Sequence, residues 1–145
     1  MSKFQKFLTG DVIEGRTLVE HLGEGSWGDA WLTNLGTVLK ITKDEREVDA
    51  ALKILNNEVR TPHHAEIYGA WCEAVPEFKY SPIFFVEREY IPLEINASSP
   101  LYDKDEYERV RDELTSFGLY DIGLSNMGKR NDGTLVLFDS QSAHI

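Results

Sequence analysis

The feature that most restricts the fold is a set of three glycines, Gly23, Gly25 and Gly28, between two strand-like runs. Residues 17–22 precede the glycines and residues 30–33 follow them, and both runs have the composition of strands. A dinucleotide-binding loop shares the G-x-G-x-x-G spacing, but its glycines follow a strand and open a helix. A strand on each side therefore argues against that fold and predicts a glycine-rich connection between two paired strands.

The remaining pattern alternates between short strands and two amphipathic helices. Further strand-like runs lie at 37–41, 64–71 and 82–91, and helical periodicity covers 43–59 and 102–117. A polar break separates the last of these strands from the second helix. The pattern predicts a single α+β domain with five strands before the break.

Composition excludes several functional classes. The 145 residues carry a formal net charge of −10, which argues against direct contact with a nucleic-acid backbone. No apolar run approaches the roughly 20 residues of a membrane-spanning helix, so we expect neither a membrane segment nor a signal peptide. The single cysteine, Cys72, excludes an intramolecular disulfide bond, and we expect a cytoplasmic protein.

Polar residues suited to phosphate chemistry follow the glycines in a fixed order. Lys40 lies in the strand-like run 37–41, twelve residues after Gly28. Asp121 and Asn126 form a D-x-x-x-x-N pattern, and Asp139 follows thirteen residues later, across a predicted hairpin. Each residue alone is compatible with turn or surface chemistry, but their order is typical of one fold family.

In this order the motifs resemble the protein-kinase-like family over roughly residues 17–141. The resemblance implies an antiparallel five-stranded N-lobe sheet with one helix, at residues 16–92. It also implies a truncated C-lobe at residues 93–145, built from a helix, a catalytic-loop-like segment and a β-hairpin. The whole chain, 1–145, would form one kinase-like domain.

The resemblance also implies how ATP would be held. A glycine loop would fold over the phosphates because residues without side chains let the backbone approach closely. The strand-to-hinge segment would bond the adenine edge through its backbone. The implied nucleotide-binding residues are Gly23, Gly25, Ser26, Gly28, Lys40, Glu89 and Ile91, with Tyr90 in the hinge.

The implied phosphotransfer residues have separate tasks. Lys40 would balance phosphate charge and would be oriented by Glu47 from the first helix, with Glu45 as the alternative. Asp121 would accept or align the proton of the acceptor hydroxyl. The metal ligands would be Asn126 and Asp139, whose oxygen atoms suit Mg²⁺.

Three departures from the family pattern bear on activity. Leu119-Tyr120 stands where the family has His-Arg, and Ser140-Gln141 stands where it has Phe-Gly. The sequence ends at Ile145, so we expect neither an activation loop nor a large helical lobe for a peptide substrate. An exposed surface left by the shortened lobe would favour a protein partner or a homodimer.

Three functional hypotheses remain open at this stage. The first is a minimal Ser/Thr kinase-like enzyme that binds Mg-ATP and transfers its γ-phosphate to a protein or small-molecule hydroxyl. The second is an inactive kinase-derived module, of a phage or bacterial effector type, that binds or inhibits a host partner. The third is an acidic decoy for a nucleic-acid-binding protein, which the net charge of −10 permits.

Overall fold

A six-stranded antiparallel sheet dominates the first half of the chain. The computed structural model describes residues 7–24, 28–73 and 83–142. The strands are β1 (Val12–Ile13), β2 (Arg16–Glu24), β3 (Gly28–Thr33), β4 (Val38–Thr42), β5 (Ile67–Glu73) and β6 (Ile83–Arg88). Their order across the sheet is β1-β2-β3-β4-β6-β5. Each of the five predicted runs contains a strand, and the two-residue β1, which pairs with β2, makes a sixth.

The interior strand β6 has both of its faces covered, since all six of its residues are buried. Its Phe85 packs on one side of the sheet in an apolar cluster with β2, β3 and β4. Phe84 and Val86 point to the other side, where the first helix covers them. This alternation follows from the two-residue period of a strand.

Helix α1 (Glu45–Leu55) connects β4 to β5 and is shorter than the predicted 43–59. It begins where the Asp44 side chain accepts a hydrogen bond from a backbone N–H of the first turn, which is the usual role of an N-cap aspartate. Its buried face carries Val48 and Ala51, which pack against β6. The helix is thereby held against the sheet beside the end of β4.

The second half of the chain is a small helix-and-strand unit. Its elements are β7 (Leu93–Glu94), α2 (Lys104–Ser116), β8 (Leu119–Tyr120), a 3-10 turn (Leu124–Asn126), β9 (Met127–Lys129), β10 (Leu135–Leu137) and β11 (Gln141–Ser142). Three of the strands form a sheet in the order β10-β9-β7, and β11 pairs with β8. The predicted helix at 102–117 is present with tighter bounds, and the predicted hairpin is the β9–β10 pair.

One apolar cluster joins the two halves. Val110 and Leu114 of α2 are buried in it together with Met127, Leu135 and Leu137. Helix α1 contributes to the same cluster from the first half of the chain. No helix in the described part of the chain has the length and apolar character needed to cross a membrane.

A clamp of hydrogen bonds centred on Arg130 adds a second connection. The Arg130 guanidinium binds both carboxylate oxygens of Glu89, at 2.8 and 2.9 Å. It also donates to the backbone carbonyls of Pro62 at 2.8 Å and His64 at 3.3 Å. The paired, two-pronged geometry is the strong form of an arginine–carboxylate contact. It ties the segment after β6 to the β9–β10 hairpin.

Candidate functional site

A cavity of about 770 Å³ lies between the large sheet and the second half of the chain. This volume is within the usual range for a small-molecule site. Its apolar lining includes Leu22, Ala30, Val38, Ile91, Leu101 and Phe138. Its polar lining includes Lys40, Arg88, Ser125, Asn126 and Asp139. The cavity therefore offers apolar surface and fixed charge to the same ligand.

The glycines at the two strand ends, Gly23 and Gly28, line this cavity. Gly23 lies in β2 and pairs with Ala30, and Gly28 opens β3 opposite Thr42. Gly25 and Ser26, which were predicted to contact phosphates, lie outside the described residues.

Lys40 stands at the centre of a chain of ion pairs. It lies in β4, and its Nζ is 3.1 Å from Glu47 Oε1 and 3.3 Å from Asp139 Oδ2. The structure thus pairs Lys40 with Glu47 of α1, the carboxylate that was preferred over Glu45. The hydroxyl of Thr42 donates a hydrogen bond to the second Glu47 oxygen and holds that side chain in place.

The electrostatics of this trio keep Lys40 and Asp139 charged at neutral pH. Burial acts to lower the pKa of Lys40, but the nearby Asp139 and Glu47 outweigh it and raise that pKa above its usual value. Burial acts to raise the pKa of Asp139, but Lys40 and Arg88 outweigh it and hold that pKa below its usual value. A charged lysine beside an ionised aspartate suits the binding of phosphate and of a hard cation.

The 3-10 turn brings Asn126 beside Asp139. The Phe138 N–H donates to the Asn126 carbonyl at 2.8 Å, which holds the residue before Asp139 against the turn. The Asn126 side-chain amide donates to the Asp121 carbonyl at 3.0 Å, so its oxygen atom is directed away from that bond. Asn126 and Asp139 are both hard oxygen donors, and this donor set fits Mg²⁺ when ligand phosphates complete the coordination.

In the part of the chain that the structure describes, no group of acidic side chains completes such a metal site. Across residues 7–24, 28–73 and 83–142, no cluster of three or more histidine, cysteine, aspartate or glutamate side chains could hold a metal ion. A cation at Asn126 and Asp139 would therefore depend on oxygen atoms from the ligand. This requirement suits a polyphosphate rather than a neutral small molecule.

Asp121 takes part in the site through its backbone carbonyl and not through its side chain. Its carbonyl anchors Asn126, and its backbone has a φ of 62°, an uncommon value for a residue other than glycine. The side chain is exposed, and Asp121 is not among the residues that line the cavity. The predicted role of Asp121 as a base remains a prediction.

The predicted hinge residues divide into two groups. Tyr90 and Ile91 line the cavity. Glu89 does not, because its side chain binds Arg130 and its backbone N–H donates to the Glu66 carbonyl at 2.9 Å. Ile91 is thus the predicted nucleotide-binding hinge residue that reaches the cavity wall, and a backbone contact of Glu89 with a ligand remains a prediction.

Arg88 is a residue of the cavity that the sequence reasoning missed. It ends β6, is only 5% exposed, and places its Nε 3.4 Å from Asp139 Oδ1. Its Cζ lies 4.8 Å from the centre of the Phe138 ring. The available signal was an arginine that follows Glu87 at the end of a strand that begins with four apolar residues, since arginine is rarely buried without a partner.

The segment after Asp139 is anchored by two polar contacts. Ser140 donates its hydroxyl to His64 Nε2 at 2.9 Å, since His64 Nδ1 donates to the Ala65 carbonyl at 2.8 Å. Gln141 donates to the N-cap carboxylate Asp44 at 2.7 Å. These contacts explain how Ser140-Gln141 holds Asp139 in place without the Phe-Gly of the family pattern.

Because the buried His64 is neutral in the folded protein, we expect the free energy of unfolding to depend on pH. Burial lowers the pKa of His64 to about 4. An unfolded histidine takes up a proton near pH 6.5, so between pH 6.5 and 4 only the unfolded chain is protonated there. The free energy of unfolding should therefore decrease as the pH is lowered from 6.5 to 4. His64 should contribute up to about 3 kcal/mol to this decrease.

Urea unfolding of the wild-type protein and of His64→Gln between pH 7.5 and 4 would measure this contribution. Burial raises the pKa of Glu47, which acts in the opposite direction, so the difference between the two proteins isolates His64. We expect the stability difference between them to shrink as the pH falls. Parallel pH profiles of the two proteins would contradict a buried neutral His64.

Comparison with known proteins shows structural similarity without a matching family model or sequence relative. No protein-family model matches the chain, and no curated protein sequence matches it. Among solved structures, the chain is similar to the crystal structure of the Mycobacterium tuberculosis PknI kinase domain, in a mutant form. The TM-score is 0.55 at 16% identity, over 92% of this chain and 62% of that one. The similarity shows a kinase-like fold, and this chain spans about three fifths of that domain.

Proposed function

We propose that this protein binds ATP with Mg²⁺ in the 770 Å³ cavity and transfers the γ-phosphate to a hydroxyl group. One observation supports this most directly. Lys40 and Asp139 line the cavity and form a continuous ion-pair chain with Glu47 behind them, and Asn126 also lines the cavity. No single element of the fold requires these polar groups to converge, whereas binding of phosphate does.

In this proposal each side chain has one task. Lys40 binds a phosphate oxygen and is kept charged and positioned by Glu47. Asn126 and Asp139 would hold Mg²⁺, which would supply positive charge beside the phosphates. Catalysis would be mostly positioning and charge stabilisation.

Binding without transfer is the second candidate, and two observations favour it. Asp121, the candidate base, is exposed and is not among the cavity-lining residues. Asp139 is already in contact with two cations, Lys40 and Arg88. In this alternative, nucleotide binding would stabilise a module whose function is to hold a protein partner.

Binding and label transfer from γ-labelled ATP should be measured for the wild type, Lys40→Met and Asp121→Asn. Loss of the charged lysine contact should weaken ATP binding by about 30-fold. Asp121→Asn should leave binding intact and abolish transfer to lysate proteins if the enzyme hypothesis is right. Lys104→Met, at an exposed position of α2, is the matched lysine control.

The outcomes separate the hypotheses. Binding without any label transfer by the wild type would exclude the enzyme and favour the binding module. Equal ATP affinity of the wild type and Lys40→Met would show that the cavity is not the nucleotide site. An absence of binding at millimolar ATP would overturn the proposal as a whole.

A further inference from the structure

Arg88 places a second fixed cation at the wall of the cavity. Its side chain is almost fully buried, and it packs over the Phe138 ring, whose centre lies 4.8 Å from Cζ. Its Nη1 donates to the Glu89 carbonyl at 3.0 Å, which restrains the orientation of the guanidinium. Arginine stays protonated in proteins, so this charge is permanent.

Both oxygen atoms of Asp139 face a cation. Oδ2 lies 3.3 Å from Lys40 Nζ, and Oδ1 lies 3.4 Å from Arg88 Nε. The Arg88 contact is within ion-pair distance, yet Nε is buried without a well-formed hydrogen bond. It is therefore an electrostatic contact that a better partner could replace, and not a tight two-pronged bond.

The charges of this group are balanced before any ligand binds. Lys40 and Arg88 supply two positive charges, and Glu47 and Asp139 supply two negative charges. A divalent cation that contacts Asp139 must approach the two fixed cations, which repel it strongly in a buried site. A phosphate group in the same cavity is attracted by both of them. The balance therefore disfavours the metal and favours the anion.

We propose that Arg88 is a built-in counterion of Asp139 that a divalent cation has to displace, so that the nucleotide binds with little help from Mg²⁺. This inference rests on the proposed function, because it concerns the same cavity. Arg88 is then the residue that sets the metal dependence of the site, while Lys40 supplies the phosphate contact.

The test is the affinity for ATP in excess Mg²⁺ and in EDTA, measured by calorimetry on the full chain. For the wild type, the two dissociation constants should agree within about threefold. For Arg88→Met and Arg88→Gln, ATP affinity in EDTA should fall, and Mg²⁺ should then raise it by about tenfold or more. Arg111→Met, on the exposed surface of α2, is the matched control and should behave as the wild type does.

A second readout titrates Mn²⁺ into the ADP-saturated protein, because a cation at Asn126 and Asp139 needs oxygen atoms from the ligand. We expect Mn²⁺ to bind the Arg88 variants at least about tenfold more tightly than the wild type. The wild-type protein is decisive even if both variants fail to fold. A more than tenfold gain of wild-type ATP affinity from Mg²⁺ would overturn the inference and leave the proposed function standing. No ATP binding in either condition would overturn the proposed function itself.

Discussion

Replacing Asp139 with alanine is expected to destabilise the protein by about 3 kcal/mol at pH 7, because it leaves two buried cations without their shared counterion. Lys40 would keep Glu47 at 3.1 Å, whereas Arg88 would lose its ion pair and keep its hydrogen bond to the Glu89 carbonyl and its packing on the Phe138 ring. For a chain of this size we expect the midpoint of thermal unfolding to fall by roughly 6–12 °C. Differential scanning calorimetry would measure it.

The same substitution should alter the acid sensitivity. The pKa of Asp139 is held below its usual value, so the carboxylate adds stability above its unfolded pKa of about 3.9. That contribution is lost as the pH falls through the lower, folded pKa. The variant should therefore lose less stability below about pH 4 than the wild type does. The control is Asp112→Ala, at an exposed position of α2. Equal losses in the two variants would contradict a buried counterion role.

Gly28→Ala is expected to cost about 3 kcal/mol or more, through a clash between two strands. A Cβ atom at Gly28 would overlap the Ile41 carbonyl oxygen and would lie 2.8 Å from Thr42 Cα. Both obstacles are backbone of β4, so they cannot turn away as a side chain would. The β3–β4 pair would have to separate, and urea unfolding without any ligand should reveal the loss.

Gly23→Ala is the matched comparison. A Cβ atom there meets no heavy atom of the described residues within 4 Å, so the variant should keep its stability within about 0.5 kcal/mol. If the glycine lies against phosphate, its ATP affinity should still fall, because a side chain would hold the backbone away from the ligand. Equal stability losses in Gly23→Ala and Gly28→Ala would refute the strand-clash explanation.

Secondary structure could be predicted well from local patterns. The runs that became β2, β3, β4 and β6 carry β-branched and aromatic residues, and α1 carries its apolar residues at helical spacing. The first and last residues of the helices and strands were harder to predict. The predicted start of α1 at residue 43 was wrong by two residues, because the Asp44 side chain caps the helix and starts it at Glu45. The two-residue strand β1 exists only because it pairs with β2.

The candidate site was predictable in its residue types and less so in its contacts. Glu45 and Glu47 lie two positions apart on one helix, so they point to different faces, and only the packing of α1 on β6 decides which meets Lys40. The Glu89 side chain binds Arg130, which lies 41 positions further along the chain, and no local pattern predicts that contact. Arg88 gave no motif signal, since its role depends on Asp139.

The α+β composition, the order of the elements and the polar residues available for phosphate chemistry can be read from the sequence, because these depend on local periodicity and side-chain type. Which of those residues meet depends on the tertiary fold. Lys40 and Asp139 are 99 positions apart, and their charges act on each other only because β4 and the segment before β11 meet at one cavity. The fold also shows a second reason for glycine at position 28. A side chain there would collide with the backbone of β4, whether or not a ligand is bound.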